Sequence, residues 1–235
     1  MQDETHVWYA DLDLDEAEAR RLMGQLDMAE RARAQRFAFP HLRTRFVAAH
    51  AFVRQVLGKY LDIAPECVSY SYTPQGKPRL SNGGEIRFNL SHSADLAALA
   101  IARNREVGID IEKPREIGDM LSLARRFFSQ PEIDWLLAVP PDDQTSAFFT
   151  CWTAKEAYIK ARGDGLSFPL DRFQALPIIG SERLQLAVYG EPAESERWCM
   201  TRFQIEAATG ALAVEGVNGQ PIIQKWTGLP PLASL

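Results

Sequence analysis

Apolar residues recur at helical spacing from Phe46 to Tyr60 (Phe46, Ala49, Val53, Val56, Leu57, Tyr60), which predicts a helix with that stripe toward the core. Upstream, Asp27-Met28-Ala29-Glu30 has the capping-box pattern and predicts a helix start, interrupted at Pro40. Alternation over Val68–Tyr72, and apolar runs over Ile86–Leu90, Leu96–Ala102 and Glu106–Ile111, predict strands. Thr73 to Pro78 reads as a loop and Ser81-Asn82-Gly83-Gly84 as a turn.

The helix-then-strand order is then repeated. A short helix is expected near Gly118 to Arg126, and Ser129-Gln130-Pro131-Glu132 caps another, with proline at a permitted early position. A long helix runs from about Gln144 to Arg162 and stops at Gly163. Beyond Phe173 the chain reads as short strands: Leu184–Tyr189, Trp198–Ala207, Ala211–Glu215 and Ile222–Trp226. Pro230-Pro231 opens a tail expected to fray. The fold class is therefore α+β, with two halves (residues 1–104 and 105–235) joined near Asn104-Arg105. No residue-level repeat relates them.

Composition narrows the function. The 235 residues are enough for a full core. No apolar run approaches the ~20 residues of a membrane span. The acidic N-terminus (Asp3, Glu4, Asp11, Asp13) is unlike a signal peptide. Cys67, Cys151 and Cys199 have neither metal-binding nor disulfide-framework spacing, as expected of reduced thiols in a cytoplasmic protein. A net charge of −5 argues against a general nucleic-acid binder. Against that background, Met28 to Arg54 carries six arginines (Arg31, Arg33, Arg36, Arg43, Arg45, Arg54) and one acid, Glu30. The segment is either a solvated helix face or an anion site.

The sharpest chemical signal is Val107-Gly108-Ile109-Asp110-Ile111-Glu112. In a strand, Asp110 and Glu112 share a face about 7 Å apart. Their repulsion at an effective dielectric near 20 is about 2 kcal/mol, which calls for a cation or a proton between them. The long helix offers a third acid within Trp152-Thr153-Ala154-Lys155-Glu156-Ala157-Tyr158-Ile159-Lys160. Trp152, Glu156 and Lys160 share one face, while Lys155 points elsewhere. Three carboxylates suit Mg²⁺, which takes hard oxygen ligands and partners phosphates. The plain alternative is a surface ion pair between Glu156 and Lys160. Asn89-Leu90-Ser91-His92-Ser93, at a strand end, suits phosphate binding or a simple turn.

Taken in order, Gly76-Lys77-Pro78, Phe88-Asn89-Leu90-Ser91-His92-Ser93, Val107 to Glu112, Phe127-Phe128-Ser129 and Trp152 to Lys160 make the chain resemble the Sfp-type 4′-phosphopantetheinyl transferases. The resemblance implies a pseudo-twofold pair of halves with coenzyme A in the cleft between them. It implies transfer of the phosphopantetheine arm of coenzyme A to a serine of an apo acyl or peptidyl carrier protein, releasing adenosine 3′,5′-bisphosphate. By motif position, Asp110, Glu112 and Glu156 look like the Mg²⁺ ligands, Glu156 the general base and Lys160 the contact to the transferred phosphate. Asn89, Ser91 and His92 look like contacts to the coenzyme A phosphates. Gly76, Lys77 and Pro78 would flank the adenine, and Arg33, or else Arg31 or Arg36, would bind the 3′-phosphate. Phe127 to Ser129 would lie beside the carrier. A monomer, without membrane or nucleic-acid partners, is expected. The competing classes are a non-catalytic coenzyme A or nucleotide-binding module and a Mg²⁺-dependent nuclease.

Overall fold

The computed structural model describes residues 4–81, 84–165, 168–216 and 219–228. Asn82 and Gly83 of the expected turn, and the Pro230-Pro231 tail, lie outside the described residues.

The first half runs β1 (His6–Asp11), α1 (Glu16–Leu22), α2 (Met28–Gln35), α3 (Pro40–Leu61), β2 (Tyr70–Tyr72), β3 (Pro78–Leu80), β4 (Ile86–Ser93) and β5 (Leu96–Arg103). The expected capping box is formed at α2: Asp27 accepts from Glu30 N at 2.8 Å and Glu30 accepts from Asp27 N at 3.0 Å. Pro40 opens α3 at its first turn, where its missing N–H costs nothing. The second half runs β6 (Val107–Glu112), α4 (Met120–Phe127), α5 (Gln130–Ala138), α6 (Gln144–Arg162), β7 (Phe173–Pro177), β8 (Arg183–Val188), α7 (Pro192–Arg197), β9 (Trp198–Ile205), β10 (Ala208–Glu215) and β11 (Ile222–Lys225).

A likeness between the halves appears in topology rather than in residues. The first sheet has the order β11-β1-β5-β4 and the second β6-β10-β9-β8-β7. In each, the opening strand of the half pairs antiparallel with the second strand of a hairpin: β1 with β5, and β6 with β10. The last strand departs from a simple division by sequence. β11 returns to the first sheet and lies parallel to β1, with Val7 opposite Ile223.

Period-two side chains decide the layers. Ala97, Leu99 and Ile101 of β5 face α3, while Leu96, Ala98 and Ala100 face the second sheet. There they meet Val107, Ile109 and Ile111 of β6. The other face of the second sheet packs on α6 through Ala211, Ala213, Met200 and Leu186. Thus α3 covers one outer face, α6 the other, and an apolar layer fills the space between the sheets.

On β6, the residues facing α6 are Gly108, Asp110 and Glu112. A Cβ at Gly108 would lie 2.1 Å from Ala157 O and 2.3 Å from Ala161 N. Only glycine permits this approach, and the approach brings the acids of β6 under Glu156 and Lys160. Gly108→Ala must push the strand off the helix, and overpacking of this kind costs about 3 kcal/mol. We expect a matching fall in the urea midpoint together with loss of activity; an unchanged midpoint would show that the helix yields instead. Among the described residues, no helix is long and apolar enough to cross a membrane.

Candidate active site

The free edge of β6 lies against the inner face of β4, the face that also carries Leu96, Ala98 and Ala100 of β5, without a backbone ladder between them. Alternate side chains of β4 take its place. Asn89 Oδ1 accepts from Ile109 N at 2.9 Å, Ser91 Oγ from Ile111 N at 3.3 Å, and Ser93 Oγ from Lys113 N at 3.1 Å. The serines also donate to the acids: Ser91 Oγ to Asp110 Oδ1 at 2.7 Å and Ser93 Oγ to Glu112 Oε2 at 2.6 Å. The polar residues that suggested a phosphate-binding strand end thus first join the halves and aim two carboxylates. His92, on the opposite face of β4, is exposed and left out of this stitching.

Lys160 does not make the i,i+4 pair with Glu156. Its ammonium reaches across to Asp110 Oδ1 at 2.6 Å and to Ser91 Oγ at 3.2 Å. Asp110 is only 6% exposed. Burial pushes its carboxyl above the usual range, against the pull of Lys160, with Glu112 adding to the rise. Burial likewise raises Glu156, followed by repulsion from Asp110 and from Glu112, with Lys160 opposing. The three carboxylates therefore share one electrostatic field. Glu156 makes no hydrogen bond or ion pair among the described residues, and it lines a cavity of about 210 Å³ bounded by Gly76, Lys77, Pro78, Asn89 and Lys160. Glu112 is held by Arg115 at 2.9 Å.

Donor chemistry fits Mg²⁺: three carboxylates, two of them disfavoured as anions where they stand. Among the described residues, however, no group of three acids, histidines or cysteines is gathered as a ready metal cluster. Lys160 is the cation now in contact with Asp110.

On the far face of β4 lies a second cavity, of about 380 Å³, lined by Arg33, Phe46, His50, Leu90 and His92. The arginine-rich segment resolves here into two kinds of residue. Arg54 is fully buried and is used up on Glu30 and Asp27, both at 2.7 Å. Arg45 pairs with Asp13, and Arg31 donates to the carbonyls of Leu26 and Gly24. Arg33 has no carboxylate partner among the described residues; its guanidinium sits 5.2 Å from the centre of the Phe46 ring. Of the three arginines considered for an anion, Arg33 lines this cavity. Although His92 is exposed by surface area, the protein packed around its ring on the cavity wall partly desolvates it, and this, then Lys160 and His50, lowers its pKa and favours the neutral form. A larger cavity, about 580 Å³ between α1, α3 and the segment from Lys225 to Gly228, is lined by none of the candidate residues.

The sequence presents Ser93 as part of a phosphate-binding strand end or a turn; its bonds to Glu112 and Lys113 N, which its alternation with Ser91 along β4 anticipates, come from the structure. Sequence reasoning did not single out Gly108, whose place between the apolar residues of β6 marks the helix contact. Trp152 packs in the core against Phe127 and Phe148, as expected. Phe128 is core as well, and Ser129 caps α5.

A family model for the 4′-phosphopantetheinyl transferase superfamily matches residues 106–212, and one for the N-terminal region of a 4′-phosphopantetheinyl transferase matches residues 15–104. Over 226 residues the chain is 42% identical to the 4′-phosphopantetheinyl transferase HetI of Nostoc sp., covering 94% of this chain and 92% of that one. The chain belongs to the 4′-phosphopantetheinyl transferase superfamily. It is also 34% identical over 165 residues to the 4′-phosphopantetheinyl transferase Sfp of Bacillus subtilis (70% of this chain, 72% of that one). A putative 4′-phosphopantetheinyl transferase of Synechocystis sp. is 30% identical over 189 residues (79% and 75%). The two matched regions meet at residues 104–106, where the first sheet gives way to β6. Within this superfamily assignment, the acids of β6 and Glu156 of α6 form the candidate catalytic cluster.

Proposed function

We propose that this phosphopantetheinyl transferase binds coenzyme A along the β4–β6 junction and transfers its phosphopantetheine arm to a serine of an apo acyl or peptidyl carrier protein. The observation that carries the reading is the placement of an unpaired Glu156 carboxylate beside the Lys160–Asp110–Ser91 contacts, on the wall of a cavity. A base without a partner and a cation beside it suit attack of a hydroxyl on a phosphate ester.

Gly76 to Pro78 would receive the adenine end. Arg33 and His92 would meet the 3′-phosphate in the second cavity, with Asn89 and Ser91 between the two sites. Asp110, Glu112 and Glu156 would hold Mg²⁺, which would neutralise charge on the pyrophosphate. Glu156, whose carboxylate has no hydrogen-bond or ion-pair partner among the described residues and lines the cavity, would take the serine proton. The serine oxygen bonds to the phosphorus that bears the pantetheine arm. The bond from that phosphorus to the bridging oxygen breaks, and adenosine 3′,5′-bisphosphate leaves with the electron pair. Lys160 offers positive charge to the phosphoryl oxygens as negative charge builds there. Arg31, Arg45 and Arg54 of the basic segment are engaged within the fold, which argues against the nuclease alternative; so does the net charge of −5. Both halves of one chain build the cleft, which supports a monomer, and the ligand chemistry suits the cytoplasm.

Release of adenosine 3′,5′-bisphosphate from coenzyme A, followed by chromatography, tests this reading. It should require an apo carrier, stop on addition of EDTA and resume with excess Mg²⁺. Undiminished release in EDTA would remove the metal from the account.

A further inference from the structure

We infer that Glu106, outside every motif, is a positioning residue that fixes the Gly76–Pro78 loop to the second half of the molecule. Glu106 stands in the crossing between halves, one residue before β6. Its carboxylate gathers three cations from the first half. Oε2 meets Lys77 Nζ at 3.0 Å, and Oε1 meets Arg79 Nη1 at 2.7 Å and Arg87 Nε at 3.5 Å.

Lys77 extends the tie. Its ammonium also donates to Val107 O at 3.1 Å and to Ala161 O at 2.8 Å. An ammonium has three donors, and all three are taken. One anchors to the start of β6, one to the last turn of α6 and one to Glu106. The Lys77 side chain therefore has no donor left for a ligand, and the loop presents its backbone and the Pro78 ring to the cavity. Burial lowers the Lys77 pKa, and Glu106 is the main influence restoring it. The buried cation depends on that carboxylate.

The loop needs an external anchor. It closes on itself through Gly76 N to Thr73 O at 2.8 Å and Lys77 N to Thr73 Oγ1 at 3.0 Å, with Gly76 at φ +87°. It is carried by β2 and β3, a two-stranded ribbon, and such a ribbon is marginal alone. The same loop walls the 210 Å³ cavity opposite Glu156 and Lys160. Loss of Glu106 leaves three neighbouring cations without their shared counter-charge and frees that wall, while Asp110 and Glu112 keep their own contacts.

The inference rests on the reading that coenzyme A occupies this cleft with its adenine at the loop. The test is calorimetric binding of adenosine 3′,5′-bisphosphate together with steady-state kinetics for coenzyme A. In Glu106→Ala the bisphosphate should bind about tenfold more weakly, with KM for coenzyme A rising in parallel and kcat at saturation within about twofold of wild type. Glu106→Gln, which keeps an acceptor oxygen, should recover part of the loss. If Glu106→Ala fails to fold, Lys77→Met tests the same anchor and should raise KM likewise. Unchanged bisphosphate affinity in a folded variant, or a fall in kcat at constant KM, overturns the positioning role. Failure of the wild type to bind the bisphosphate would instead overturn the coenzyme A reading, and the inference with it.

Discussion

Asp110→Asn lowers phosphopantetheinyl transfer by about 100-fold or more and leaves the fold as stable as before. The size follows from removing one preorganised charge at a phosphate, which typically costs roughly 10²–10³ in turnover. Asparagine keeps the shape of Asp110 and an oxygen for Ser91, so the strand junction survives. It takes away the charge that holds Lys160 at 2.6 Å and that would bind a metal. Stability should not fall with activity. A carboxyl whose pKa is raised on folding is disfavoured as an anion by the folded state, so a neutral isostere removes a penalty. This split between activity and stability separates a functional acid from a structural one. The checks are the initial transfer rate at saturating coenzyme A and the urea midpoint. Activity within threefold of wild type would take Asp110 out of the site, whereas a midpoint that collapsed with activity would make it a structural acid.

The second large effect falls on stability. Lys155, the neighbour of Glu156 on α6, is 1% exposed, and its partner Glu132 on α5 is 0% exposed. Their contact is 2.5 Å, and Lys155 also donates to Phe173 O at 2.7 Å. Glu132 in turn accepts from Ser129 N at 2.9 Å, Ser129 Oγ at 2.8 Å and Ala175 N at 3.0 Å. The pair ties α5 and α6 to β7, which is to say it holds the helix that carries Glu156 and Lys160. Lys155→Met leaves a buried carboxylate without its cation, and a broken buried pair costs about 3–5 kcal/mol. Chemical unfolding should register that loss. The double variant Lys155→Met with Glu132→Gln should regain much of it, because the orphaned charge is gone. A single variant with the wild-type midpoint would show that Glu132 is relieved by protonation or water.

Parts of this site could be read from the chain because local periodicity governs them. Gly108, Asp110 and Glu112 alternate on one face of β6 whatever the tertiary fold, and the capping pairs Asp27/Glu30 and Ser129/Glu132 form where the pattern puts them. What stayed hidden depends on neighbours distant in sequence. The alternation of Asn89, Ser91 and Ser93 is visible, but its meaning requires β6 alongside. Helical spacing favours a Glu156–Lys160 pair, yet the close approach at Gly108 gives Lys160 a stronger partner in Asp110. β1 is short and sits in an acidic stretch, and its pairing with β11 spans nearly the whole chain. β3 follows the Gly76-Lys77 turn so closely that its residues read as loop. The likeness of the halves rests on which strand pairs with which, a relation that leaves no mark on residue identity.

The most direct test of transfer is the intact mass of an apo carrier protein after incubation with the enzyme, coenzyme A and Mg²⁺. The account predicts a gain of one phosphopantetheine unit, lost when the acceptor serine of the carrier is replaced by alanine and lost with Glu156→Ala. A carrier that gains nothing while the protein binds coenzyme A would contradict it, and would leave a binding module in place of an enzyme.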